Sequence, residues 1–170
     1  MDIPGLSTLY SILKRHIEHG NDTLDRRKQL AEELRQNCQK WTVLLENMLK
    51  LVAANIADSD YRAAEKAITE LLDDFVQVDY KYLRQESPIL LHLSKDPRFN
   101  AFADSCADFY NSALNLKRLV YKSIPDTSGT DVKLRTHGLS MVRRTWKSEL
   151  ERMLDRVDHE YMKVKVLEPS

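Results

Sequence analysis

The run TLDRRKQLAEELRQNCQKWTVLLENMLKLVAANIA, residues 23–57, decides the fold class. It contains neither Gly nor Pro, the two residues least tolerated in a helix interior. Leu30, Leu34, Cys38, Trp41, Leu45, Met48, Val52 and Ile56 recur at steps of three and four, which lays an apolar stripe along one helical face. At 1.5 Å per residue such a helix runs for roughly 52 Å. An Asp or Thr at positions 22–23 is placed to cap its amino end, and Asp25 adds negative charge to the first turn.

Before this run, Leu6, Leu9, Tyr10, Leu13 and Ile17 are spaced for a short amphipathic helix over about 6–19. Gly20-Asn21-Asp22 stops it and reverses the chain. After it, Asp58-Ser59-Asp60 makes a turn, and Tyr61, Ala64, Ile68, Leu71, Phe75, Val78 and Tyr82 follow in a heptad rhythm. That helix, about 61–86, ends at Ser87-Pro88, because the residue before a proline is pushed out of the α region. Residues 89–95 read as a connector with one helical turn.

Asp96-Pro97 is a start signal, with Asp at the N-cap and Pro at the first helical position. Phe99, Phe102, Cys106, Phe109, Ala113, Leu116 and Val120 then define a helix over about 97–122. Pro125 to Thr130 is the most loop-like stretch. Leu139, Val142, Trp146, Leu150, Met153, Val157 and Tyr161 mark the last helix, about 131–163. Gly138 costs about 1 kcal/mol against Ala in a helix interior, so residues 131–137 are expected to form a separate turn. Lys163 and Lys165 suit the carboxyl end of the helix dipole.

No apolar set alternates with period two, so no strand is expected. The sequence predicts an all-α protein: an up-down-up-down four-helix bundle of 23–57, 61–86, 97–122 and 131–163, with the 6–19 helix in addition. Its 170 residues suffice for one domain and one sizeable core, with residues 1–22 packing on the bundle end.

Twenty-six basic residues balance 26 acidic ones, so the chain as a whole exerts no pull on a charged partner. A mean hydropathy of −0.49 and the lack of any apolar run near 18 residues argue against a transmembrane span. Met1 to Gly5 lacks a basic region leading into an apolar one, so no signal peptide is expected. Cys38 and Cys106 both fall on apolar stripes, as reduced packing residues of a cytoplasmic protein do.

Helix lengths place the residue 23–34 end of the long helix beyond the end of 61–86. That overhang needs a cover, for which the 6–19 helix or a second subunit is the candidate. The same pole gathers Lys14, Arg15, Arg26, Arg27, Lys28, Arg156, His159 and Lys163. These are the expected binding residues, for a protein partner, for self-association, or more weakly for nucleic acid or an anionic lipid surface.

Six residues separate Arg152 from His159, which puts both on one helical face. Imidazole for proton transfer and guanidinium for phosphate charge form a workable metal-independent ribonuclease pair. The spacing resembles the Arg-x4–6-His motif of HEPN-type ribonucleases, which are helical bundles of similar size; the resemblance covers these two residues. No Glu-x-x-His pair, P-loop, HExxH or nucleophile elbow occurs, and no cofactor or metal is expected. The leading expectation is therefore a non-enzymatic bundle acting through protein–protein contacts as a regulator, adaptor or subunit, with the ribonuclease as its rival.

Overall fold

The computed structural model describes residues 23–57, 63, 66, 88–123 and 132–169. Among these the protein is all-α, with no strand. Helix α1 spans Leu24–Ala57, α2 spans Pro88–Ser94, α3 spans Asn100–Ser123 and α4 spans Val132–Lys165, with a 3₁₀ turn at Pro97–Phe99 leading into α3. The helix expected over 6–19 lies outside the described residues, as do the loop around 125–130 and the helix expected over 61–86 apart from residues 63 and 66, both helical.

Local chemistry explains the observed starts. Thr23 caps α1: its Oγ1 accepts from the Arg26 amide at 3.3 Å and its carbonyl from the Arg27 amide at 3.1 Å. A side-chain oxygen there satisfies one of the amides that a helix start leaves without an internal partner. Asp96 caps the 3₁₀ turn in the same way, accepting from the Arg98 amide at 3.1 Å, and Pro97 occupies the first position.

The 3₁₀ first turn is where the sequence reading of 97–122 as one α-helix differs. At the other end, α4 is continuous from Val132 through Gly138, so the separate turn expected over 131–137 does not form. The cost of one glycine is small against the cooperative gain of extending an established helix. Gly138→Ala is accordingly expected to stabilise the protein by about 0.5–1 kcal/mol. Thermal denaturation checks this; an unchanged or lower melting temperature would contradict a continuous helix through position 138.

Contacts between elements fix the directions. Along α1 and α4, Glu32 meets Tyr161, Arg35 meets Asp158 and Glu46 meets Lys147, so these helices are antiparallel. Along α3 and α4, Phe102 meets Tyr161, Asp108 meets Arg156 and Ser112 meets Trp146, again antiparallel. Helices α1 and α3 consequently run parallel. They meet more narrowly than either meets α4.

One core joins them. Leu30, Leu34, Cys38, Trp41 and Leu45 of α1, Phe102, Cys106, Phe109 and Ala113 of α3, and Trp146, Leu150, Val157 and Tyr161 of α4 are buried. These members of the stripes read from the sequence are therefore core residues, and Met153 packs against them half-buried. Leu49, Tyr110 and Val164 join them, as do Leu90 and Leu93 from α2.

The amino end of α1 is covered from within the chain. Leu30, Ala31 and Leu34 share the core cluster with Leu90, Leu93, Phe99, Tyr161 and Val164, and Leu24 and Leu167 pack against it. The last turns of α4 contribute to that cover, where Tyr161 reaches Glu32 and Arg35. Two cations then hold the residues after α4: Lys28 Nζ donates to the Leu167 carbonyl, and Arg98 donates to the Glu168 carbonyl at 2.9 Å. Positive groups on the carbonyls at a helix carboxyl end are favoured by the helix dipole.

Candidate functional site

The outward face of α4 holds the pair that the sequence singles out for chemistry. Arg152, Asp155, His159 and Met162 are all exposed, and their spacing by three and four residues places them opposite the buried set Trp146, Leu150, Val157 and Tyr161; Val166, just after the helix, is exposed as well. Arg152 leans on Glu149 of its own helix at 3.6 Å. Arg152 and His159 thus share a face, about two turns apart.

The expected basic pole is spread over several tasks. Arg156 pairs with Asp108 of α3, locking α3 to α4. Lys163 pairs with Glu160 at 3.1 Å on its own helix. Lys28 is committed to the carbonyl of Leu167. Arg26 and Arg27 are half-buried in the first turn of α1. His159 and Lys163 are exposed on α4, while Lys14 and Arg15 lie outside the described residues.

Two polar constellations add to the sequence reading, the first unforeseen and the second built on the Asp96 cap that the sequence did mark. In the first, Tyr161 donates its hydroxyl to Glu32 at 2.5 Å, and the Arg35 guanidinium stacks 4.5 Å from the centre of the Tyr161 ring. Arg35 also reaches Asp158 at 3.6 Å and Glu32 at 3.7 Å. The hydrogen bond from Tyr161 holds the Glu32 carboxyl below its ordinary value, and Arg35 adds to the effect. Burial, followed by the bond to Glu32, pushes the Tyr161 hydroxyl up. The sequence marks Tyr161 only as apolar, because its ring lies on the core stripe while its hydroxyl reaches the rim.

The second constellation is the Asp96 turn. Arg98 donates to both carboxylate oxygens of Asp96, at 2.8 and 3.0 Å for the closest contacts. These bonds hold the Asp96 carboxyl below its ordinary value. A group depressed in the folded state contributes stability that is full above its unfolded pKa and is lost as pH falls through the folded one. The melting-temperature difference between the native chain and Asp96→Asn should therefore be full at neutral pH and shrink as the solution is acidified below the ordinary carboxylate range. A difference independent of pH would remove Asp96 from this role.

Among the described residues no group of three or more His, Cys, Asp or Glu side chains is placed to hold a metal ion. The cleft between α1 and α4 lined by Thr42, Glu46, Leu49, Trp146 and Lys147 encloses about 20 Å³, room for about one water. No helix among the described residues is long and apolar enough to cross a membrane. No protein-family model, curated protein or solved structure matches this chain.

Proposed function

We propose that the protein is a non-enzymatic helical bundle that works in the cytoplasm through protein–protein contact, as a regulator, adaptor or subunit, or by self-association. One observation carries this reading. Met162 on the outward face of α4 and Val166, the residue just after the helix, are 56 % and 72 % exposed, in the same stretch of sequence as Arg152, Asp155, His159 and Lys163. An apolar pair framed by charges of both signs has the composition of a small contact strip with a polar rim. The remaining binding residues of the proposal are Arg26, Arg27, Lys28 and Arg156, with Lys14 and Arg15, which lie outside the described residues.

The proposal includes the four-helix up-down-up-down arrangement. Its support is that α1 and α3 run parallel to each other and antiparallel to α4. The ribonuclease reading is the alternative, supported by the exposure of Arg152 and His159 on one face of α4. Binding of an anionic surface by the basic pole is a weaker third.

Light scattering on the tagged full-length chain, with identification of any co-purifying protein, tests the leading proposal. Met162→Glu combined with Val166→Glu is expected to abolish the association while leaving helix content unchanged. A monomer that brings down no partner, or an association indifferent to the double substitution, counts against it. RNA cleavage that disappears in both Arg152→Ala and His159→Ala would instead establish the ribonuclease.

A further inference from the structure

Helix α4 carries a second seam, on the side away from the core. Thr145, Ser148, Arg152, Asp155, His159 and Met162 follow one another at alternating steps of three and four, and all are exposed. Met141, four residues earlier, is 52 % exposed and extends the line toward the start of the helix. Such alternation is the pattern of two helices packed side by side. The inward seam of α4 is taken by the core, so this one is available to another molecule.

Its chemistry is self-complementary when reversed. At equal distances on either side of the point between Met153 and Leu154 stand Arg152 and Asp155, then Ser148 and His159, then Thr145 and Met162. Met141 and Val166, the residue just after the helix, come last. A cation is thus matched with an anion and a hydroxyl with an imidazole. The apolar side chains lie at the two ends, Met141 and Met162 being about 32 Å apart along the axis. A second copy laid parallel would set Arg152 on Arg152 and Asp155 on Asp155, and like charges across a contact disfavour it. Turned end for end, the same surface meets only complementary groups.

We propose that this seam of α4 is a two-fold interface with a second copy of the chain, the two helices running antiparallel about the point between Met153 and Leu154. The inference rests on the contact reading of α4 given above and supplies that surface with its occupant. Symmetry makes each contact twice: Arg152 of one copy faces Asp155 of the second copy, and Ser148 faces His159. Arg152 already leans on Glu149 of its own helix at 3.6 Å. A guanidinium has five N–H donors, enough for a second carboxylate. Met162 covers the Thr145 methyl group, and Met141 lies at the level of Val166. A single pair of helices buries less than about 1,200 Å², the size of a weak, reversible association. The charged centre sets the direction and register, and the apolar ends supply most of the attraction.

Sedimentation velocity on the full-length chain, from about 5 to about 500 μM, should show a reversible monomer–dimer equilibrium. Arg152→Asp leaves only carboxylates at the centre and Asp155→Arg only cations, so each should weaken the dimer by at least about tenfold. The two substitutions combined exchange the charges and should restore it. Met162→Glu should weaken it as well. All these positions are exposed, so helix content by circular dichroism should stay unchanged. Direction is read by cross-linking. A short thiol cross-linker should join a Ser148→Cys chain to a His159→Cys chain, while each variant alone stays unlinked, its two new thiols being about 16 Å apart along the seam. Cys38 and Cys106 are buried, which keeps the reagent to the introduced thiols.

A chain that is monomeric at every concentration would overturn the proposal. So would a dimer indifferent to both charge reversals, a failure of the combined exchange to restore association, or cross-linking of either cysteine variant with itself. A monomeric chain that binds a different protein through Met162 would remove the second copy as occupant and leave the contact reading of α4 standing.

Discussion

Trp41→Ala should lower the free energy of unfolding by about 3–5 kcal/mol. Trp41 is fully buried on α1 between the levels of Cys38 and Leu45. Truncating it removes the largest apolar area of that stripe and leaves a void that close-packed neighbours fill only partly. Against a total stability of about 5–15 kcal/mol for a domain, this is about a fifth or more. The contrast on the same helix is Val43, 57 % exposed, where replacement by Ala should cost no more than about 0.5 kcal/mol. Urea titrations of the two variants measure both. A Trp41→Ala cost near that of Val43→Ala would mean that the indole is not a core anchor.

The difference between Trp41 and Val43 was legible in the sequence, and the reason is geometric. A helix repeats every 3.6 residues, so a stripe sustained from Leu30 to Leu45 has one face to bury and one solution. The same logic recovers Phe102, Cys106, Phe109 and Ala113 on α3. It fails where burial exceeds a single stripe: Ser105 and Ala107 flank Cys106 on opposite sides, yet both are buried. A helix touched from several directions loses its polar face, and periodicity carries no signal for that. Gly138 was misread for a related reason, since a local propensity penalty was weighed without the helix that surrounds it.

The candidate site divides along the same line. Seven-residue spacing is enough to put Arg152 and His159 on one face of α4. The pole holding Lys28, Arg156 and Lys163 follows from the helix directions. Which group each cation would meet was not legible, because helical phase gives the side a residue faces and not the residue opposite. Lys28 and Arg98 end on carbonyls of Leu167 and Glu168, backbone acceptors that have no signature in sequence at all. Charges that look available for a partner are thus partly engaged in closing the bundle. The exposed strip of α4 becomes the better place to look for one.

A double-mutant cycle on Asn37 and Tyr110 should show strong non-additivity. The two form the buried side-chain hydrogen bond between α1 and α3, 2.6 Å from hydroxyl to amide oxygen. Tyr110→Phe deletes the donor and strands Asn37 Oδ1 in the core, at an expected cost of about 1–3 kcal/mol. Asn37→Leu takes away the acceptor, with a cost of similar size from the tyrosine's desolvated hydroxyl. The double variant should cost less than the sum by about 1 kcal/mol or more. It also removes Asn37 Nδ2, a buried amide nitrogen with no hydrogen-bond partner, which is a standing penalty in the native protein. An apolar pair at these positions therefore suits stability nearly as well as the polar one. What the polar pair adds is discrimination: sliding α1 by one turn against α3 would break this bond and leave Asn37 Oδ1 buried without its donor. Additive costs in the cycle would show that the two side chains act separately, and the register of the α1–α3 contact would then rest on packing alone.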